Sequence, residues 1–156
     1  MWRLFSWLAH SGDSWFWVAG LGVIWLISKN GWHYRAAVLI VGIVFQAFFV
    51  LLIKFLIRRQ RPPGEWGSIY RNTDPHSFPS GHATRAGLLT VMSFGLGPLW
   101  FAGLVSLWAP IMSLARVAMG VHYFLDIAAG YGLGLLFGLA MLKIIPILGA
   151  FFPFIF

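Results

Sequence analysis

Long apolar runs separated by short polar breaks are the main pattern along this 156-residue chain. About 20 residues, at roughly 1.5 Å per residue, are enough for a helix to cross the hydrocarbon core of a bilayer. The pattern therefore predicts an all-α, polytopic transmembrane bundle with spans over residues 15–27, 36–57, 80–94, 99–118 and 122–145. Residues 2–9 are expected to form a short interfacial helix, and residues 146–156 are too few to cross.

The longest polar segment, residues 58–79, contains several prolines and is expected to lie outside the bilayer or to line a cavity. Five alternating spans put this segment, the turn at 116–122 and the N-terminus on one side of the membrane. The turn from Lys29 to Arg35 and the C-terminus then lie on the other side. No polar linker divides the chain, which predicts a single domain over residues 1–156.

The composition supports a membrane protein, since 60% of the residues are hydrophobic, 10% are charged and the mean hydropathy is +0.82. The net charge of +7 comes from basic residues scattered around the apolar runs. We therefore expect anionic lipid or phosphate as the partner, and not nucleic acid. The chain has no cysteine, which excludes disulfide bonds, thiolate metal ligands and a cysteine nucleophile.

The first candidate cluster lies at the end of the second span, where Lys54 is followed seven residues later by Arg61 and then Pro62. Seven residues at about 100° each return to nearly the same helix face, so the two cations are predicted to converge on an anionic group. Anchoring by snorkelling side chains at the membrane boundary is the alternative. Arg58 and Arg59 point elsewhere on such a helix and are expected to contact lipid headgroups.

The second cluster is the sequence Pro79-Ser80-Gly81-His82 at the start of the third span. A glycine beside a helix-capping serine lets backbone N–H groups and a hydroxyl approach a phosphate, aided by the helix dipole. His82 lies in the first turn and can give a proton to a departing oxygen. An ordinary capped helix start is the alternative.

The third cluster contains Arg116, His122 and Asp126. On a helix, His122 and Asp126 are neighbours four residues apart, so the carboxylate can hold one ring nitrogen and leave the other as a nucleophile. A buried structural pair is the alternative, although ionisable groups in membranes are costly and usually functional. One continuous helix would separate Arg116 from His122 by about 120°, so we expect a helix break at Gly120.

In this order and spacing, the three clusters resemble the signature of the type-2 phosphatidic acid phosphatase superfamily. The resemblance covers residues 54–126, with apolar spans around them. It implies that His122 attacks phosphorus to form a phosphohistidine, that Asp126 orients His122, and that His82 protonates the leaving oxygen and later activates water. It also implies that the phosphoryl oxygens are held by Lys54, Arg61, Ser80, Gly81 and Arg116.

One position departs from the family pattern, because Ala115 stands where the third motif usually has serine. The hydrogen bond of that serine is expected to be absent or to be supplied by Ser113. The resemblance also implies a six-helix core, with the first helix shortened into residues 2–9 or missing. We therefore expect five to six spans.

No metal or other cofactor is expected. The four acidic residues of the chain are too few for a two-metal site. A single metal on His76 and His82 would have only Asp74 as carboxylate support nearby.

The predicted activity is metal-independent hydrolysis of a phosphate ester or diphosphate on a membrane lipid. Lipid A phosphate, phosphatidylglycerol phosphate, phosphatidic acid and polyprenyl diphosphate are the candidate substrates. A second anionic group of the substrate would be held by further arginines: Arg58, Arg59, Arg71 and Arg85. This favours a large or multiply phosphorylated lipid. A vanadium haloperoxidase of the same superfamily is soluble, which the apolar spans argue against. A non-enzymatic binder or small transporter of anionic headgroups is the alternative from another class.

The expected location is the inner membrane of a bacterium, with the active site facing the periplasm or exterior as in bacterial relatives. Lys29, Arg35 and Lys143 lie on the opposite side, consistent with a cytoplasmic position of that side.

Overall fold

The computed structural model describes residues 2–63 and 74–155, and within these ranges the chain forms helices and no strand. The helices are α1 (Trp2–His10), α2 (Ser14–Ile27), α3 (Gly31–Ile57), α4 (Gly81–Leu96), α5 (Leu99–Ala118) and α6 (Phe124–Phe151). The predicted all-α bundle is confirmed. Arg71, one of the predicted headgroup contacts, lies outside the described residues.

Among the described residues, three helices are long and apolar enough to cross a membrane: α3 with 27 residues, α5 with 20 and α6 with 28. Large apolar side chains on these helices are exposed, among them Phe48, Leu107 and Leu136, as expected of surfaces that face lipid. The chain is an integral membrane protein. Because α2 has only 14 residues and α4 has 16, their crossing of the membrane stays a prediction.

The last helix extends beyond its predicted end. The apolar pattern predicts an end at residue 145, but α6 continues through Pro146 to Phe151. A proline lacks the N–H that would bond the carbonyl four residues earlier, here that of Leu142. The loss of one hydrogen bond does not end a helix whose flanking residues are strongly apolar, since the alternative in lipid is an unpaired backbone.

α4 packs against α3, α5 and α6, and its contact with α6 is the most extensive in the bundle. Glycines of α6 line this contact: Gly130, Gly134 and Gly138. A Cβ atom on Gly134 would lie 2.0 Å from the carbonyl oxygen of Thr84, whereas Gly132 faces open space. Because α4 and α6 run in the same direction, this close approach brings their first turns together.

The two ends of the bundle carry the segments that the alternating topology predicts. α1 packs against α5 at the end where α5 meets the turn before α6. At the opposite end, Arg35 Nε donates to the carbonyl of Leu96 at 3.0 Å, and Trp25 Nε1 donates to the carbonyl of Ile155 at 3.0 Å. The N-terminus and the candidate site therefore share one end, and the C-terminus lies at the other.

Candidate active site

Two buried residues around the start of α6 form the centre of the site. α5 ends at Ala118, and Gly120, with a φ of 67°, turns the chain toward α6. The predicted break at this glycine is confirmed. Asp126 accepts a hydrogen bond from the backbone N–H of Tyr123 at 2.9 Å, which fixes the carboxylate in the first turn. His122 Nδ1 lies 3.6 Å from Asp126 Oδ2.

The prediction that His122 and Asp126 share a helix is wrong, because α6 begins only at Phe124. The two side chains meet because Asp126, in the first turn of α6, folds back toward the residues that precede the helix. A carboxylate near Nδ1 favours the tautomer with its proton there and the lone pair on Nε2. Nε2 faces Arg61, whose Nη1 is 3.3 Å away.

The imidazole of His122 is uncharged at neutral pH. Burial, which is the largest effect, and the charges of Arg116 and Arg61 together lower the pKa of His122 to about 4, while hydrogen bonding to Asp126 opposes the shift. A neutral imidazole keeps the lone pair that a nitrogen nucleophile requires.

Lys54 and Arg61 converge, but not from one helix face as their spacing predicts. α3 ends at Ile57, and Arg58 has a left-handed φ of 52° that redirects the chain. Arg61 therefore reaches the site from the connecting segment. Lys54 Nζ donates to Asp74 Oδ2 at 2.5 Å, and Arg61 Nη2 donates to the same oxygen at 2.8 Å. An anionic oxygen lies between the two predicted phosphate ligands.

Arg59 does not point toward lipid headgroups, contrary to the prediction. Its Nη1 donates to Asp126 Oδ1 at 2.7 Å, and its guanidinium lies 4.4 Å from the centroid of the Tyr123 ring. The prediction assumed a helix that continues past Ile57, and the turn at Arg58 aims Arg59 inward instead. Arg58 is exposed and donates to the carbonyl of its own helix end.

Ser80 caps α4 as predicted, with its Oγ accepting from the backbone N–H of Ala83 at 3.5 Å. The backbone N–H of Ser80 donates to the carbonyl of Asp126 at 3.1 Å, which ties the starts of α4 and α6 together. Gly81 and His82 occupy the first turn, where N–H groups have no carbonyl partner within the helix. The positive end of the α4 dipole therefore lies beside the third motif.

A carboxylate that the sequence pattern does not single out holds His82. Asp13, in the break between α1 and α2, lies with its Oδ1 2.7 Å from His82 Nε2, and its Oδ2 is 3.2 Å from His10 Nδ1. Burial raises the pKa of Asp13, but the bonds and charges of the two histidines outweigh this effect and lower it to about 2. Because Asp13 and His82 are 69 positions apart, no local spacing signals the contact.

Arg116 is buried at the end of α5, close enough for its charge to lower the pKa of His122. Ser113 does not supply the hydrogen bond of the missing motif serine, since its buried hydroxyl has no partner among the described residues. Ala115 is buried in a small apolar cluster with Ala9 of α1.

Arg85 is also buried and lies one turn beyond Gly81 on α4. Its guanidinium donates to the carbonyl of Gly12 and to Ser14 Oγ. The predicted headgroup contact is thus attached to the segment that leads into α2.

A cavity of about 830 Å³ joins these elements. Its polar lining includes residues of all three motifs and two of the carboxylates: Lys54, Gly81, His82, His122, Asp13 and Asp74. Its apolar lining includes Trp15, Val50 and Leu51. Within residues 2–63 and 74–155, no group of three or more histidine, aspartate or glutamate side chains is arranged to hold a metal ion.

The sequence profile of the PAP2 superfamily matches residues 35–149, a range that contains all three motifs. The chain belongs to the PAP2 superfamily. Among PAP2-like relatives, a decaprenylphosphoryl-5-phosphoribose phosphatase from Mycobacterium tuberculosis is 33% identical over 141 residues, covering 81% of this chain and 71% of that protein. An undecaprenyl-diphosphatase from Sulfolobus acidocaldarius is 32% identical over 106 residues, covering 60% of this chain and 50% of that protein.

The crystal structure of Aquifex aeolicus LpxE has the same fold, with a TM-score of 0.71 at 24% identity, covering 91% of this PAP2 chain and 85% of that one. These matches confirm the predicted superfamily and the prediction of a phosphatase. They favour an enzyme over the alternative of a non-enzymatic headgroup binder or transporter.

Proposed function

We propose that the protein hydrolyses a phosphate ester or diphosphate on a membrane lipid without a metal ion, through a phosphohistidine at His122. The observation that carries this proposal is the buried imidazole of His122, whose Nε2 faces Arg61 beside the cavity. The lone pair of Nε2 attacks phosphorus, and the bond from phosphorus to the lipid oxygen breaks. Water then attacks the phosphohistidine, the P–N bond breaks and inorganic phosphate leaves.

Fixed positive charge stabilises the transferring phosphoryl group in this proposal. The donors assigned to its oxygens are cations and groups at the start of α4: Lys54, Arg61, Ser80, Gly81 and Arg116. The contact of Lys54 and Arg61 with Asp74 supports the assignment, since a carboxylate oxygen already accepts from both cations. The phosphate of the substrate displaces this carboxylate when it binds.

His82 gives a proton to the leaving oxygen and takes one from water in the second step. Its Nε2 is bonded to Asp13, so Nδ1 is the nitrogen that we assign to proton transfer. Asp13 is charged at neutral pH because its pKa is about 2. It therefore favours the imidazolium form of His82, as an orienting carboxylate does in a hydrolase triad, and opposes the burial and the charge of Arg116 that disfavour this form.

The substrate class is a lipid phosphate whose hydrocarbon stays in the bilayer. Lipid A phosphate, phosphatidylglycerol phosphate, phosphatidic acid and polyprenyl diphosphate are the candidates. The names of the two relatives, for decaprenylphosphoryl-5-phosphoribose and for undecaprenyl diphosphate, support a phosphorylated membrane lipid. Exposed Arg58 and cavity-lining Arg85 are the proposed headgroup contacts.

The proposed location is a bacterial inner membrane, with the site open to the periplasm. The motivating observation is that Lys29, Arg35 and Lys143 lie toward the end opposite the site. Because the chain has no cysteine, Gln60→Cys and Lys29→Cys report the two ends separately. In intact bacterial cells, a membrane-impermeant maleimide is expected to label the variant at Gln60 and spare the variant at Lys29; the reverse pattern contradicts this orientation.

The proposed reaction is tested with purified protein in detergent, a chelator, and a panel of the four candidate lipids. Phosphate release is expected with chelator present, and His122→Ala is expected to lose it by more than ~1,000-fold because the nucleophile is gone. His33→Ala is the matched control, because His33 bonds to the carbonyl of Trp25 at the opposite end of the bundle.

Rapid quench in alkaline detergent, with lipid radiolabelled in the scissile phosphate, is expected to trap a phosphoenzyme in the wild type and none in His122→Ala; loss of the label on later acid treatment identifies a P–N bond. An adduct in that variant, activity only with added metal, or full activity of His122→Ala overturns the proposal.

A further inference from the structure

One wall of the cavity carries a buried polar side chain that the proposed reaction does not use. Gln46, on α3, is 1% exposed and lines the cavity. Neither Oε1 nor Nε2 of its amide has a hydrogen-bond partner among the described residues. An unpaired buried amide is unfavourable, and polar groups within membrane helices are commonly functional. The free amide at the cavity wall points to a ligand that supplies the missing bonds.

The position of Gln46 sets the part of the substrate that it can meet. A Cβ atom on Gly81 would lie 3.6 Å from Val50 Cγ1, so the start of α4 is level with Val50. Gln46 precedes Val50 by four residues, and Arg85 follows Gly81 by four. Since α3 and α4 run in opposite directions, both side chains start about 6 Å further from the site end.

Arg85 strengthens this wall. Its guanidinium is held by the carbonyl of Gly12 and by Ser14 Oγ, while its buried Nε has no partner in the described part of the chain. The side chain is therefore a fixed donor next to the cavity that it lines. A second unpaired group at the depth of Gln46 makes a polar ligand at this level more favourable than hydrocarbon.

We infer that Gln46 and Arg85 form a subsite for a hydroxylated unit, a polyol or sugar, that carries the scissile phosphate. The inference rests on the proposed function and deepens it. An amide offers both a donor and an acceptor, which matches a hydroxyl group that needs both. A phosphate attached directly to a hydrocarbon chain would leave the amide facing apolar carbon. In a lipid diphosphate the second phosphate is bonded directly to the first, so it lies closer to the site end of the bundle than Gln46 does.

The test compares three short-chain probes in detergent: dioctanoyl phosphatidylglycerophosphate, its analogue without the free hydroxyl of the phosphorylated glycerol, and farnesyl phosphate. For the wild type, kcat/KM on the hydroxylated probe is expected to exceed that on the deoxy analogue about 10- to 100-fold, since a site built for a hydroxyl discriminates strongly against its absence. For Gln46→Leu, the kcat/KM values on these two probes are expected to differ by no more than about 3-fold, because only the value on the hydroxylated probe falls.

Val44→Leu is the matched control, because Val44 lies on the same helix and is 59% exposed. Its ratio is expected to equal that of the wild type. Thermal unfolding in detergent shows whether Gln46→Leu folds, and we expect a Tm at least as high as the wild type because an unpaired amide is removed.

A wild-type ratio near one, or an equal loss by Gln46→Leu on all three probes, overturns the subsite. If the wild type releases phosphate from none of the probes, nor from the four lipids of the previous test, the proposed function itself fails.

Discussion

The bond between Asp13 and His82 gives the sharpest prediction about the proposed reaction. Asp13→Asn keeps the size of the side chain and an acceptor oxygen, but it removes the charge that stabilises a protonated His82. A hydrogen bond to a charged group contributes about 1.5–3 kcal/mol, and each ~1.4 kcal/mol corresponds to tenfold in rate. The Oδ1 to Nε2 distance is 2.7 Å and the Asp13 side chain is 19% exposed, so solvent screens this bond only partly. We expect kcat on a lipid phosphate with an alkyl leaving group to fall about 10- to 100-fold.

The assay separates proton donation from structure by the choice of leaving group. An aryl phosphate probe releases a phenolate, which can leave without protonation. On this probe, kcat of Asp13→Asn is expected to fall by less than about 3-fold. His10→Ala is the matched control, because His10 also contacts Asp13, at 3.2 Å from its second oxygen, but is 42% exposed to solvent. Since solvent screens an exposed pair, this variant should change neither rate by more than about 3-fold. Equal losses of Asp13→Asn on both probes, or wild-type kcat on both, refute the assigned proton transfer.

Two further predictions concern pH and packing. Burial lowers the pKa of His122 to about 4; since only the neutral imidazole attacks, kcat/KM is expected to stay high at pH 5.5 and to fall as the pH drops through about 4, and a midpoint near 6.5 would contradict this. Gly134→Ala places a Cβ 2.0 Å from the carbonyl of Thr84, so we expect a loss of about 1–3 kcal/mol in unfolding free energy and reduced activity. Gly132→Ala, with no atom within 4 Å, is expected to match the wild type, and equal Tm values of the two variants would show that the helix contact yields.

The fold is predictable where hydrophobicity alone decides it. The runs that become α3, α5 and α6 are long and apolar enough to cross a membrane. The end of α6 is less predictable, because Pro146 weakens a helix in water more than it does in lipid. The glycines of α6, a residue type that is typical of close helix packing in membranes, allow its close contact with α4. Yet Gly132 has the same local sequence character as Gly134 and faces open space, since only the crossing geometry selects which glycines pack.

The site is predictable in its membership more than in its geometry. The three motifs are identified by residue type and order, and the cavity brings Lys54, His82 and His122 together. Helix periodicity gives the wrong geometry for two pairs because both straddle a helix end. Arg61 lies beyond the left-handed turn at Arg58, and His122 lies before the start of α6. A backbone reversal is set by a single φ angle, which a periodic pattern does not encode.

The few acidic residues of the chain indicate candidate site residues that the three motifs do not include. The chain has four acidic residues, and each of the three that the structure describes contacts a candidate site residue: Asp13 at His82, Asp74 at Lys54 and Arg61, and Asp126 at His122 and Arg59. Buried cations repel one another strongly at low dielectric, so the site requires nearby negative charge when no phosphate is bound. A carboxylate facing lipid would be unfavourable, which leaves few other places for one in this chain. Rarity alone therefore marks Asp13 and Asp74 as candidate site residues, although neither belongs to a motif. The same reasoning applies to Gln46, the one polar interruption in the middle of the long α3 run, because a polar group is retained there only if something pairs with it.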